Sequence, residues 1–338
     1  MDASTFLHRR RQREESESES GLPGARFLTP SDMQRLRHLE FSTVRRVRGT
    51  FSGRHSSRQR GQSVEFNDYR QYMPGDDPAD VDWKVYGRSD RLFIKLYEHE
   101  SELTTTLLVD GSASMAFRGC DVPPPGAKVF GAKGQLVADE SRSKYELAGA
   151  IAAALAFLLI QRNDRVAIGI AKDGLAKYER PGVSMTHLRQ VLGTLDSHEP
   201  HGAAALPEAI DALLRRTKRR GMLVVVSDFL DDMDASIRAL SEASARGHEV
   251  VVFHTLHAEE IELPRGGAGT FIDSESGERV RVHIDDIRAE YARALAEFTA
   301  RLQRMCTGLG FDLVPVHTGE DRYAILERYL LRRGARGR

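Results

Sequence analysis

From Leu92 onward the apolar positions of the chain follow two alternating rhythms. RLFIKLYEHE sets Leu92, Ile94 and Leu96 on one side, a period of two that predicts a strand. LTTTLLVD (103–110) predicts a second strand, ending in an apolar run. The segment Leu147 to Ile160 is apolar on every side but only 14 residues long. A membrane span needs about 20 residues. The pattern therefore predicts a helix over 143–162, buried all round inside a domain. Further strands are predicted at 165–171, 222–228, 248–256 and 311–316. Helices are predicted at 187–195, 207–220, 235–247 and 286–307, with a last one from about Asp321. MLVVVSD (222–228) is apolar without a break, which marks a central strand covered on both faces. Residues 269–283 read as a hairpin turning near Ser276-Gly277. Strands that alternate with helices predict an α/β fold, a mostly parallel sheet with helices on both faces.

The N-terminal part follows another grammar. Residues 1–28 mix charge with Ser and Gly and hold no apolar period, so a disordered tail is expected. Thr29-Pro30-Ser31-Asp32 opens a helix over about 30–47: Thr29 can cap, Pro30 suits the first turn and Asp32 the positive end. The expected division is a tail (1–28), an N-terminal helix and small β lobe (29–100), and the α/β domain (101–338).

Composition then narrows the function classes. The chain has 338 residues, 41% of them hydrophobic and 29% charged, as in ordinary soluble proteins. Its 49 basic and 49 acidic residues cancel, but the first 60 residues hold 13 Arg and 7 acids, a net of +6. The remainder is therefore net acidic and would repel phosphate. A nucleic-acid function would be confined to the Arg-rich residues 35–60, where only Phe41 and Phe51 are aromatic; a solvated arm is the favoured reading. Cys120 and Cys306 are too few for a disulfide framework and lack metal-ligand spacing. With RRRQREESESES near the start in place of an apolar leader, a cytoplasmic location is expected.

The candidate chemistry sits where open α/β sheets place ligands, outside the carboxyl ends of the strands. Two apolar strands end there in an acid, Asp110 and Asp228, and the exit loop after Asp110 adds hydroxyls at Ser112 and Ser114. Two carboxylates and two hydroxyls form an oxygen set suited to a hard divalent cation, Mg²⁺ above all. Helix capping explains Asp228 poorly, because Asp231, Asp232 and Asp234 stand nearer the next helix. Catalysis is not expected. Ser112 occupies the place where metal-assisted hydrolysis would put a second acid, and neither G-x-S-x-G nor G-x-x-x-x-G-K-[ST] occurs. A metal-dependent hydrolase remains the enzymatic alternative.

DGSAS (110–114) resembles the D-x-S-x-S of the metal-ion-dependent adhesion site in von Willebrand factor A domains, with SDF (227–229) at the second acidic strand end. Upstream, the stretch with Gly61, Glu65, Phe66, Arg70, Tyr72, Gly75, Asp76, Asp77, Asp82 and Trp83 is similar to the signature of the domain-of-unknown-function 58 family. ELPRGGAGTFIDSESGERVRV and VHTGEDRYAILERYLLRR are similar to that family's tail, so the resemblance covers roughly residues 35–333. It implies a von Willebrand factor A-like, Rossmann-like domain behind a small lobe in which the signature has a structural or inter-lobe role. The residues themselves read as a turn at Pro74-Gly75 and a small core anchored by Trp83. It also implies an adhesion-type Mg²⁺ site on Asp110, Ser112, Ser114 and Asp228. Family members are often encoded beside MoxR-type AAA+ ATPases, which implies a non-catalytic adaptor or assembly role with such a partner. Two departures qualify this. Ala204 stands where the A-type site uses a Thr, which weakens the metal, and Ala79-Asp80 replace the family's basic residue after Pro78. The long loop over 117–142 leaves from the same edge and is expected to be a lid, a partner contact or a plain insertion.

Overall fold

The computed structural model describes residues 24–39, 65–72, 81, 83–89, 91–98, 104–119, 142–217, 219–264, 266–274 and 277–336. Two compact units emerge, one from residues 1–42 with 103–336 and the other from 43–102. Helix α1 (Pro30–Leu36) opens the larger unit. The smaller unit holds β1 (Glu65–Gln71), α2 (Trp83–Ser89) and β2 (Phe93–Glu98). There β1 and β2 pair antiparallel, with a register shift between Phe66 and Asp68. Trp83 does not anchor a core. It stands 61% exposed at the start of a seven-residue helix, its ring edge-on to Tyr86.

The larger unit continues through β3 (Thr104–Asp110), α3 (Lys144–Gln161), β4 (Arg165–Ala171), β5 (Leu175–Gly182), α4 (Met185–Asp196) and α5 (Leu206–Arg216). Next come β6 (Gly221–Ser227), α6 (Met233–Ala245), β7 (Glu249–Leu256) and the short α7 (Ala258–Ile261). A hairpin of β8 (Ala268–Ile272) and β9 (Arg279–His283) precedes α8 (Ile284–Gly308), β10 (Asp312–His317) and α9 (Arg322–Arg336). The main sheet has six strands in the order β10-β7-β6-β3-β4-β5. All its pairs are parallel except β4 with β5. The chain is thus a mixed α/β protein with a mostly parallel core sheet between helices.

Alternation along each strand sends side chains to two separate cores. Leu107, Val109, Val224, Val226 and Phe253 face α3, α4, α9 and the segment around α1. Leu108, Leu223, Val225 and Val252 face α5, α6 and the C-terminal end of α8. Helix α3 begins with a capping box, Ser143 with Glu146, and has no polar stripe. Among the described residues it is the one helix long and apolar enough to cross a membrane, and almost all of it is buried against the sheet and its helical neighbours. Each buried Leu, Ile or Phe there contributes about 1.5–3 kcal/mol of transfer free energy.

Helix α1 is capped at its start and pinned by two contacts to the start of α9. Thr29 and Asp32 form a capping box, Arg322 bonds Asp32 at 2.7 Å, and Arg35 lies over the Tyr323 ring at 3.9 Å. Part of the basic N-terminal region is therefore tied to the protein's own body. The rest of the Arg-rich stretch and most of the 117–142 loop lie outside the described residues. One close approach in the sheet sets a sharp requirement. A Cβ on Gly221, at the start of β6, would run into the Thr104 carbonyl oxygen of β3, and backbone cannot swing aside. Gly221→Ala is expected to cost about 1–3 kcal/mol in urea-monitored unfolding.

Candidate functional site

The parallel register brings the carboxyl ends of β3 and β6 side by side, with Val109 opposite Val226. Asp110 closes β3 and is 2% exposed. Its Oδ1 accepts from the Ser112 backbone N–H at 2.9 Å, and its Oδ2 from the Ser227 hydroxyl at 2.6 Å. The Ser227 Oγ in turn accepts the Phe229 N–H at 2.9 Å. Ser112 and Ser114 place their hydroxyl oxygens 3.0 Å apart, on a short 3-10 turn over Ala113–Ala116. Phe229, buried and bulky, adopts φ 55°, a left-handed conformation that costs energy and that the hydrogen bond from its N–H to Ser227 helps to hold.

A second loop clamps the first. Gly111 donates to Ala171, while its carbonyl accepts from the His201 N–H and is met by His198 Nε2 at 2.9 Å. Ala113 N–H donates to Gly202. A Cβ on Gly111 would strike the His198 ring, which explains the glycine after Asp110. Ala204, in the place expected to hold a Thr, is buried and contributes a methyl group only.

The groups that balance the charge come from distant parts of the chain and carry no local motif. Lys144, the first residue of α3, is wholly buried. Its ammonium donates to Asp228 Oδ2 at 2.8 Å and to Glu260 Oε1 at 2.7 Å. Asp228 Oδ1 accepts from the Leu230 N–H at 3.1 Å, and Glu260 Oε2 from the His257 N–H at 2.7 Å. Burial alone would depress the Lys144 ammonium, but the two acids outweigh it and hold its pKa above the ordinary value. Burial, reinforced by the charge of Asp228, pushes the Asp110 carboxyl up to about 6, against the hydrogen bonds from Ser227 and Ser112. His254, two strand positions before Leu256, is buried with neither ring nitrogen hydrogen-bonded, and burial lowers it to about 4. One signal for Lys144 was visible: a cation opening an otherwise apolar helix, at the end where the helix dipole disfavours it.

The donors decide how far this edge suits a divalent ion. Ser112 and Ser114 offer two neutral oxygens side by side, as a hard cation's shell requires. The carboxylates are less available, because each oxygen of Asp110 and Asp228 already accepts a hydrogen bond. Among the described residues no group of three or more His, Cys, Asp or Glu forms a cluster of the kind that holds a metal. The hydroxyl half fits Mg²⁺, and the acid half would have to share its charge with Lys144.

Comparison with known families gives the affiliation. The model of the family described as "Protein of unknown function DUF58" matches residues 68–123 and 131–301. The chain belongs to the DUF58 family. A relative of this DUF58 chain, "Uncharacterized protein Rv1480" of Mycobacterium tuberculosis (strain H37Rv), is 33% identical over 307 residues, 89% of this chain and 90% of its own length. "Uncharacterized protein MAV169" of Mycobacterium avium is 36% identical over 133 residues, 38% of this chain and 78% of its own. Among solved structures, BatB from Bacteroides thetaiotaomicron aligns at 14% identity and a TM-score of 0.40, over 69% of this chain and 99% of its own. An aerotolerance-related membrane protein from Bacteroides fragilis aligns at 16% and 0.42, over 68% and 98%. The fold assignment stands on the strand order, not on these two likenesses.

Proposed function

We propose that this DUF58 protein is a non-catalytic adaptor whose sheet edge works as a von Willebrand factor A-type adhesion site. On this reading it engages a MoxR-type AAA+ ATPase in the cytoplasm, during assembly or maturation of a protein complex. The observation that carries the proposal is the meeting of Asp110, Ser112 and Ser114 with Asp228 at the carboxyl ends of neighbouring central strands. Leu230 supports a protein partner, since it stands 52% exposed two residues after Asp228, an apolar contact beside a polar centre. The Ser112 hydroxyl meets that of Ser114 rather than a base, an arrangement that favours recognition over nucleophilic catalysis. Ser112 and Ser114, with Asp110 and Asp228 beside them, would hold Mg²⁺ weakly, and the ion would supply positive charge for a carboxylate of the partner.

Ser114→Ala tests the reading, because Ser114 is only partly buried and its loss spares the core. Affinity for the purified ATPase, measured by interferometry, is expected to fall about tenfold, or about 1.4 kcal/mol, with little change in melting temperature. Unchanged affinity would contradict it.

A further inference from the structure

We infer that Lys144 is the resident cation of this edge and sets how weakly Mg²⁺ binds there, by occupying Asp228, one of the two acids that the ion would need. The inference deepens the adhesion-site reading and rests on it. An ammonium and a hard divalent ion ask for the same partners, negatively charged oxygens in a dry place. Lys144 already has them: its buried Nζ donates to Asp228 at 2.8 Å and to Glu260 at 2.7 Å.

Three further features make this a built arrangement rather than a chance contact. Lys144 starts α3, where aligned peptide dipoles repel a cation, so the acids must hold it there. Glu146, the acid in that first turn, is engaged elsewhere, accepting from Ser143 N–H at 2.9 Å and pairing with Arg118. The remaining oxygens of both acids are filled from the backbone, Asp228 by Leu230 and Glu260 by His257. The ammonium therefore sits in a finished cradle. Across the edge, Ser112, Ser114 and buried Ala204 can supply neutral oxygens only from the two serines. Mg²⁺ would thus meet two hydroxyls, Asp110 with both oxygens already hydrogen-bonded, and Asp228, whose charge is already matched.

The test is a calorimetric titration of Mg²⁺ into the full chain, as wild type, Lys144→Gln, Lys144→Met and Lys144→Arg, with melting temperatures recorded alongside. Wild type is expected to bind no tighter than about millimolar, the weak end of oxygen-ligand sites. Lys144→Gln and Lys144→Met are expected to bind at least about fivefold tighter, because Asp228 and Glu260 then lack a counter-ion. Lys144→Arg is expected to stay as weak as wild type. A gain smaller than this in both neutral variants, or wild-type binding well below millimolar, would overturn the inference. A neutral variant that folds only with Mg²⁺ would support it, and one left unfolded at every Mg²⁺ concentration would count against it. No partner takes part in the titration, so failure to capture an ATPase would strike the adhesion reading and leave this result intact.

Discussion

Lys144→Ala is expected to lower the stability of the folded protein at pH 7 by about 3–5 kcal/mol, the cost of breaking a buried pair and stranding a charge. Two carboxylates depend on this ammonium, of which Asp228 is almost wholly buried and Glu260 only 19% exposed. The exposed pair Arg301–Asp234 is the internal contrast. Both partners are substantially solvated at 53% and 42%, so Arg301→Ala is expected to cost no more than about 1 kcal/mol. Urea unfolding followed by circular dichroism reads both variants on one scale. Adding Asp228→Asn to Lys144→Ala should recover part of the loss, since one stranded charge disappears. Equal small losses for Lys144→Ala and Arg301→Ala would show that the buried contact carries no special weight.

The second large effect is in pH dependence, where two buried groups act in opposite directions. Asp110 is raised in the folded state to about 6 from 3.8, so between these values the folded protein holds a proton that the unfolded chain releases. Its contribution is fully present below the unfolded value and is lost as pH rises through about 6, roughly 3 kcal/mol in all. His254 is lowered to about 4 from 6.5, so the folded protein stays neutral where the unfolded chain takes up a proton. Its contribution is present above 6.5 and is lost as pH falls through about 4, again roughly 3 kcal/mol. In wild type the two slopes largely cancel between pH 4 and 6. Asp110→Asn should expose the His254 slope, with stability rising steeply as pH increases over that window. His254→Leu should expose the opposite one, with stability falling as pH increases. Urea midpoints taken at half-unit pH steps check both, and parallel profiles for the three proteins would refute the account.

Much of the sheet was legible from the sequence because its strands are apolar runs bounded by turn residues. β3, β4, β6, β7 and β10 all lie at or within a residue of their predicted places. β5 escaped notice for a physical reason: Leu175–Gly182 is a half-exposed edge strand whose apolar positions are broken by Lys177, Glu179 and Arg180 and end at Pro181, tolerated there because an edge leaves N–H groups unpaired. The smaller unit's short helix misled in another way. A lone Trp reads as a core anchor, yet Trp83 begins a seven-residue helix and stands mostly exposed.

The candidate site divides along the same line. Asp110, Ser112 and Ser114 are neighbours in sequence, and strand ends announced both acids. Lys144, Glu260 and Ser227 were illegible because their partners come from afar: Lys144 and Asp228 lie 84 residues apart, Lys144 and Glu260 116. Only the parallel register and the start of α3 bring them together. Ser227 stood in plain view inside SDF, but its bond to Asp110 spans 117 residues and reports on β3–β6 pairing, which no local pattern encodes.

The most direct test of the central claim, that this edge is where the protein meets its partner, is amide hydrogen exchange on the full chain with and without a purified MoxR-type ATPase from the same genome. New protection is expected in the exit loop 110–116, the clamping loop 198–204 and the turn 228–232. Protection confined to other surfaces, such as the hairpin 268–283 or the exposed face of α8, would contradict that claim.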